Sequence, residues 1–287
     1  MAVSFDLKKS VEQNVNDIYD SIKKSKKKID KIKEVIKDHE EKQSKHLEKQ
    51  EKQKEIARST VKNTKLKEWF TKFRWFISST GSLIVGGKDT TSNEVIIKKY
   101  TEKNDKVCHS TLPGSPFFII KSKKQEAKNL LLNSLLKKSK IDDQAIQESC
   151  EATASYSKAW GQYSSVDVFY VDENQVTKTA ESGEYLTKGS FVIRGERNFV
   201  NVVLKLAVGL VCDDKNIIVI AGPVDAIKKH TDIVVEIEPG KIEKKSDAAK
   251  QIKKQLEAKF YRATEKRLNI DVNDILIMLP TGNISIK

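Results

Sequence analysis

The chain is organised around one glycine-punctuated stretch, Lys178-Thr-Ala-Glu-Ser-Gly-Glu-Tyr-Leu-Thr-Lys-Gly-Ser-Phe-Val-Ile-Arg-Gly-Glu-Arg-Asn-Phe199. Its glycines recur at intervals of six, and glycine tolerates the positive φ angles of tight turns. Cations and aromatic residues are interleaved with them: Lys178, Lys188, Arg194, Arg197, Tyr185, Phe191 and Phe199. Turns, cations and rings in one stretch are typical of surfaces that hold phosphates and stack bases. The alternative interpretation is an ordinary pair of strands with its rings in the core and its lysines in solvent.

The composition indicates a globular part joined to a highly charged extension. Of the 287 residues, 38% are apolar and 32% are charged, respectively below and above the ordinary globular shares. The net charge of +13 favours a polyanionic partner, nucleic acid before an anionic membrane. Solubility alone is the competing explanation for the excess of lysine.

The cysteine pattern predicts a reducing compartment. Cys108, Cys150 and Cys212 are too scattered for metal-ligand spacing, and an odd count argues against a disulfide framework. We expect small buried hydrophobes in a cytoplasmic protein. The sequence has neither a secretory apolar segment nor an apolar run near 18 residues, so we expect no export and no membrane partner.

The N-terminal arm, residues 1–68, carries a seam of alternating four- and three-residue spacing: Val11, Val15, Ile18, Ile22, Ser25, Ile29, Ile32 and Ile36. This is the heptad pattern of a coiled coil, which needs a partner helix. Farther along, the same phase meets polar residues, including His39 and His46, which we interpret as exposed side chains and not as a metal pair. We predict two helices, about 8–38 and 56–73, joined by a charged tip, with a single projecting helix as the alternative.

The remainder of the chain predicts an α+β fold, since strands and helices are interspersed without a regular βαβ repeat. The predicted strands are 73–78, 82–86, 107–109, 117–120, 166–171, 191–193, 202–212, 217–221 and 233–237, with turns at 213–216 and at Pro239-Gly240. The predicted helices run from an Asp89 cap to Tyr100, from Asp142 or Asp143 to about Gly161, and from near Ser246 to about Leu268. Residues 123–140 are interpreted as a variable insertion.

Several sequence blocks, in this order, resemble the RNA-binding R domain of the NFACT family: Phe73-Arg-Trp-Phe-Ile-Ser-Ser79, Gly86-Gly-Lys-Asp89 with Asn93-Glu94, His109 with Gly114-Ser115, Ser157 with Ala159-Trp160, and Lys178 through Gly195. The resemblance implies a coiled-coil middle arm at 1–68, an R domain at 69–212, and a C-terminal extension at 213–287 packed on that domain. It also implies that the family's N-terminal domain, which engages tRNA, has no counterpart here, so we expect the C-terminal half of a family member.

The resemblance further implies ribosome-associated quality control, in which family members bind a stalled large ribosomal subunit that carries peptidyl-tRNA. The expected partners are therefore ribosomal RNA and tRNA, with a separate N-terminal family chain or a helix pairing with the arm as further possibilities. The alternative function is a coiled-coil interaction scaffold without direct RNA contact. We expect no cofactor and no metal.

The candidate RNA-binding residues are Lys88, Lys98, Lys99, His109, Ser115, Lys178, Tyr185, Lys188, Arg194 and Arg197. A catalytic set of His109, Ser115 and a carboxylate is the competing interpretation, but no Gly-x-Ser-x-Gly elbow surrounds Ser115. No phosphate-loop lysine follows Gly86 and Gly87 either. We therefore expect binding and not catalysis, and we expect Trp160 to belong to the core.

Overall fold

The computed structural model describes residues 6–112, 114–137, 140–179, 189–242 and 244–287, and within these ranges the side chains of 48–60 and 62 are not described. The chain divides into two compact units, Met1–Ser59 and Thr60–Lys287, which are described separately. The predicted residues Tyr185 and Lys188 lie outside the described ranges.

The first unit contains one helix, α1 (Val11–Ser59). Ser10 caps it, since its Oγ accepts a hydrogen bond from the Gln13 backbone N–H at 3.2 Å and the Gln13 side chain accepts one from the Ser10 N–H at 3.1 Å. The prediction of two helices with a tip is wrong, and the single helix is observed. The segment 39–55 around the polar part of the seam consists mainly of Glu, Lys and Gln, which are good helix formers, so it does not interrupt the helix.

The seam of α1 is open to solvent. Between 49% and 53% of the surface of Val15, Ile22, Ile29 and Ile36 is exposed, although these residues share the predicted apolar face. Asn14, in contrast, is buried, and its Oδ1 accepts a hydrogen bond from the Asp6 backbone N–H at 2.8 Å.

The strands of the second unit are β1 (Thr60–Lys62), β2 (Arg74–Ile77), β3 (Leu83–Gly86), β4 (Lys106–Ser110), β5 (Phe118–Ile120), β6 (Ser165–Asp172), β7 (Val176–Thr177), β8 (Val192–Ile193), β9 (Asn198–Val203), β10 (Leu206–Cys212), β11 (Ile217–Gly222), β12 (Val234–Ile242), β13 (Arg267–Asn269) and β14 (Ile284–Ile286). Its helices are α2 (Thr90–Val95), α3 (Leu130–Leu135), α4 (Asp143–Ser155), α5 (Val224–His230), α6 (Lys245–Thr264) and α7 (Val272–Leu276). Single 3₁₀ or π turns occupy Trp69–Lys72, Ile96–Tyr100 and Glu173–Gln175.

The strands form two larger antiparallel sheets. The first has the order β2-β3-β5-β4-β6-β9, and the second has the order β11-β10-β12-β14. Short pairs join β1 to β13 in parallel and β7 to β8 in antiparallel orientation. The predicted hairpin of β2 and β3 and the α+β class are confirmed.

The boundary between the two sheets corrects one prediction. Residues 202–212 are not one strand, because β9 ends at Val203 in the first sheet and β10 begins at Leu206 in the second. Leu204 is buried, and its N–H donates to the Ser164 carbonyl at 3.5 Å. The chain thus changes sheets at Leu204, between exposed Val203 and Lys205, without a glycine or proline to mark the change.

Three further boundaries differ from the predictions. Helix α4 ends at Ser155 and not near Gly161, and α6 ends at Thr264, where Glu265 adopts a positive φ of 58°. The predicted turn at Pro239-Gly240 is wrong, since β12 continues through it with a register shift between Pro239 and Ile242.

Residues of α4 and of the two larger sheets contribute to the hydrophobic core. Cys108 of β4 and Cys150 of α4 are fully buried, with their Sγ atoms 3.9 Å apart. Trp160 is 3% exposed and donates its Nε1–H to the Asn283 carbonyl at 2.9 Å, which confirms the predicted core position. Within the described ranges, no helix has the length and apolar character needed to cross a membrane.

Candidate nucleic-acid interface

The first sheet carries a continuous series of rings, called here the aromatic row, which consists in order of Phe191, Phe117, His109, Phe169 and Phe199. Neighbouring ring centroids are 5.4, 4.0, 5.9 and 5.9 Å apart along that order. The His109 and Phe117 rings are stacked with an interplanar angle of 26°, while the other contacts are edge-on or tilted.

Strand register assembles half of this row. His109 of β4 is directly paired with Phe169 of β6, and Phe169 is directly paired with Phe199 of β9. Side chains at directly paired positions lie on the same face of a sheet within contact distance. Three rings from three neighbouring strands therefore contact one another because the register aligns them.

The rings of the row differ in exposure, and His109 and Phe191 are partly buried. Phe117 and Phe169 are 4% and 3% exposed, whereas Phe199, on the edge strand β9, is 57% exposed. A large ring on an edge strand offers a free face, and base-stacking surfaces use such faces. The buried rings hold the row rigid and Phe199 makes its outer end accessible.

Two of the predicted cations lie over rings of the row. The Lys178 Nζ is 5.7 Å from the Phe191 centroid, and the Arg197 guanidinium carbon is 5.0 Å from the Phe169 centroid. Both distances fall in the range of cation–π attraction. Arg194 is exposed on the same stretch, and its backbone N–H donates to the Gln175 carbonyl at 2.9 Å.

His109 acts in this row as a neutral ring. Burial lowers its pKa to about 4, with a smaller contribution in the same direction from the Arg197 charge. Hydrogen bonds to the backbone of Ser115 and Ser110 oppose this change without cancelling it. At neutral pH the imidazole is uncharged and stacks on Phe117 as a neutral ring.

Glu94 organises two of the predicted lysines, and the sequence interpretation missed it. Its Oε1 accepts hydrogen bonds from Lys178 at 2.5 Å and from Lys98 at 2.7 Å. These bonds, that of Lys178 first, lower the pKa of Glu94 to about 2. The sequence carries a signal for half of this arrangement, since Glu94 and Lys98 have the i,i+4 spacing of helical ion pairs. The Glu94 carboxylate thus fixes both ammonium groups in position and offsets part of their positive charge.

Helix α2 attaches the glycine-punctuated stretch of residues 178–199, called here the central stretch, to the sheet. Asp89 caps α2 by accepting from the Ser92 N–H at 2.8 Å, as the sequence predicts. The Asn93 Oδ1 accepts from the Phe117 N–H at 3.1 Å and so holds one ring of the row. Gly189 packs against Thr90 so closely that a Cβ there would lie 2.7 Å from the Thr90 carbonyl oxygen.

The other predicted residues have separate surroundings. The Ser115 hydroxyl is buried and donates to the Leu112 carbonyl at 2.9 Å, which closes the loop beside His109. Lys99 is exposed, with its Nζ 5.5 Å from the Tyr100 centroid. Lys88 lines a different cavity together with Arg74 and Tyr156.

The rings of Phe117 and Phe169 also escaped the sequence interpretation. They occupy positions typical of core strands, and nothing local distinguishes them from the rings around Trp75. Their role follows from contact with His109, which strand register alone reveals.

Comparison with known proteins agrees with this architecture. Residues 72–195 match the family described as NFACT protein RNA binding domain. The chain is 36% identical over 224 residues to "Archaeal Rqc2 homolog aRqcH" of Methanocaldococcus jannaschii, an alignment that covers 77% of this chain and 30% of that protein. It is 34% identical over 202 residues to the "Ribosome quality control complex subunit NEMF homolog" of Drosophila melanogaster, covering 69% of this chain and 18% of that protein.

The human "Ribosome quality control complex subunit NEMF" is 36% identical over 142 residues, which is 50% of this chain and 12% of that protein. The chain therefore spans 30% or less of the length of these relatives. The matched domain contains every ring of the aromatic row except Phe199, together with α2 and Lys178. On the strength of this domain and of relatives that align over most of its length, the chain belongs to the NFACT family.

Proposed function

We propose that this chain is an RNA-binding component of ribosome quality control, which contacts the large ribosomal subunit and its tRNA through the aromatic row and the adjacent cations. The observation that carries the proposal is the open end of the row, where exposed Phe199 and Arg197 adjoin a series of buried and partly buried rings. Stacking on an aromatic side chain contributes about 1–3 kcal/mol per base and is tolerant of sequence.

The charge distribution supports RNA as the partner. Arg194 and Arg197 are exposed on the same stretch, and the chain has a net charge of +13. Contacts between such cations and phosphates release counterions and provide much of the affinity. The proposal assigns binding to the chain and no reaction.

The names of the relatives support the ribosomal context. Proteins called ribosome quality control subunits and an archaeal homologue of one of them align with this chain. Because the chain spans only a part of each, the contact with the large subunit and with tRNA is part of the proposal and not of the comparison.

Replacing Arg194 and Arg197 with glutamate is expected to weaken binding to large ribosomal subunits and to tRNA at least about tenfold at low salt. The slope of log affinity against log salt concentration should shrink by about 1 to 2, since each lost phosphate contact contributes just under one unit. Both quantities come from a binding titration repeated across a salt series.

The matched control is the double replacement of Lys254 and Arg262 with glutamate. Both are exposed residues of α6, and the change in net charge is the same. If the two double variants lose affinity equally, overall charge and not this surface explains the binding, and the proposal fails.

A second candidate function is a helical interaction scaffold, and the exposed seam of α1 favours it. Apolar residues at heptad spacing, about half exposed, are typical of a helix that pairs with another helix. In this case the second unit would be a scaffold and the arm would carry all association.

Replacing Ile22 and Ile29 with glutamine distinguishes the two functions in the intact chain. Both side chains are about half exposed, at 49% and 50%, so we expect the helix content to stay unchanged. RNA binding by the second unit should also persist within twofold of its original affinity, which a filter-binding assay measures. Loss of all association with the large subunit would instead favour the scaffold.

A further inference from the structure

A small cavity beside Arg74 is lined by two cationic side chains that form no salt bridge within the described ranges. It has a volume of about 30 Å³ and is lined by Arg74, Lys88, Tyr156 and Ala221, among other residues. It lies apart from the aromatic row, with which it shares no lining residue.

Arg74 is the central group of this cavity. Its Nη1 donates to the Gly87 carbonyl at 2.7 Å, and its guanidinium lies 4.6 Å from the centroid of the Tyr156 ring. Its Nε–H is buried and meets no acceptor among the described residues. A buried donor without an acceptor is unusual in a folded protein and calls for a ligand or a water.

Two lysines interact electrostatically with this guanidinium, and of these Lys88 lines the cavity. Partial burial lowers the pKa of Lys88 and of Lys245, and in both cases the Arg74 charge lowers it further. Burial also lowers the pKa of Arg74 itself. Arg74 and Lys88 therefore line one cavity close enough to repel each other, so an anion placed between them would be stabilised.

No acidic side chain of the described ranges forms a salt bridge with these three groups, although one lies nearby. Asp89 attracts Arg74 and Lys88 without forming a salt bridge with either, and its carboxylate accepts the Ser92 N–H as the cap of α2. The Tyr156 hydroxyl donates to the Met278 carbonyl at 2.8 Å and is not free to act as a donor in the cavity.

We propose that Arg74 and Lys88, which both line this cavity, form a binding site for a phosphate group. A guanidinium and an ammonium group together carry a charge of +2, which offsets that of a phosphate dianion, and both groups bind phosphate oxygens through charge-assisted hydrogen bonds. The cavity is about twice the size that one water needs, so it admits one or two phosphate oxygens while the remainder of the ligand stays outside. The site does not depend on RNA binding at the aromatic row.

Two sources of phosphate share this chemistry, the backbone of an RNA and a small phosphate ligand. The cavity recognises the oxygens in either case, because a base or a sugar does not fit in it. The RNA source would add a second contact to the one at the aromatic row, and the small ligand would make the cavity a separate site.

The test follows the Nε–Hε resonance of Arg74 in the intact chain by NMR while inorganic phosphate is added at constant ionic strength. We expect a saturable shift that sodium chloride does not reproduce. Lys88→Gln, at an exposed side chain that the fold does not need, should weaken phosphate binding about tenfold, the effect of losing one charge-assisted contact. Lys254→Gln, at an exposed side chain of α6, serves as the control and should leave it unchanged.

Absence of a saturable shift overturns the proposal, as does an equal response in the Lys88→Gln variant, and water would then be the occupant of the cavity. If a single-stranded RNA with a 5′-hydroxyl shifts the same resonance, the site holds backbone phosphates. If inorganic phosphate alone shifts it, the site holds a small ligand, and both results support the site. A phosphate response that persists when Arg194→Glu and Arg197→Glu leave RNA affinity unchanged separates this site from the proposed function.

Discussion

Replacing Asp105 with asparagine is expected to lower the free energy of unfolding by about 3–5 kcal/mol. Asp105 is fully buried and lies 2.6 Å from the Lys121 Nζ, which is itself 2% exposed. The carboxylate also accepts hydrogen bonds from the backbone N–H groups of Glu102 and Ser122 at 2.9 and 2.8 Å. Asparagine retains the shape but leaves the charge of Lys121 buried and uncompensated. Denaturation by urea, followed by circular dichroism, measures the loss.

The control for this prediction is Glu102→Gln. Glu102 also contacts Lys121, at 3.5 Å, but its side chain is 46% exposed, so water screens the pair. We expect a loss below about 1 kcal/mol for that change. Similar losses for both variants would show that burial does not decide the strength of this pair.

The buried pair also bears on the aromatic row. Asp105 immediately precedes β4, which carries His109, and Lys121 immediately follows β5, which begins one residue after Phe117. The ion pair therefore fixes the two neighbouring strands on which the stacked rings depend. Replacing Asp105 should therefore reduce RNA binding only in proportion to the fraction of the protein that unfolds.

Local signals made parts of this fold predictable. The hairpin of β2 and β3 follows from two apolar runs around a Ser-Thr-Gly turn, and the start of α2 follows from an Asp89 whose side chain caps it. In both cases, residues close in sequence determine the structure, so the local sequence pattern is sufficient to predict it.

The arm shows why a seam alone does not define a helix. Through residues 39–53, the heptad phase of the seam places polar residues where a coiled coil needs apolar ones, and this pattern predicted a bend. Seam polarity weakens pairing between helices, but α1 is continuous because its residues favour helix individually. The two properties are independent, and the sequence interpretation treated them as one.

The aromatic row depends on information that lies outside any local window. His109, Phe169 and Phe199 are separated by 60 and 30 positions, and only the register of β4, β6 and β9 brings them together. A shift by one residue would move each ring to the opposite face of the sheet. The glycine-punctuated stretch marked the right region, but Glu94 and the buried rings that complete the site required the pairing of strands.

Replacing Gly189 with alanine is expected to destabilise the central stretch and to lower RNA affinity on the order of tenfold. Two effects combine at this position. Its φ of +79° costs an L residue about 1–2 kcal/mol. A Cβ would in addition lie 2.7 Å from the Thr90 carbonyl oxygen, so the stretch would have to move away from α2. That movement would displace Phe191 from its contact with Phe117 and Lys178 from Glu94.

Gly161→Ala provides the matched comparison. Its φ of +83° is nearly the same, but a Cβ there would meet no atom within 4 Å. We expect the backbone cost alone, about 1–2 kcal/mol in the free energy of unfolding, with RNA affinity unchanged. Measuring both quantities for both variants separates the strain of a positive φ from the close approach to Thr90. If the two alanines affect RNA affinity equally, the packing of Gly189 on α2 does not position the binding surface.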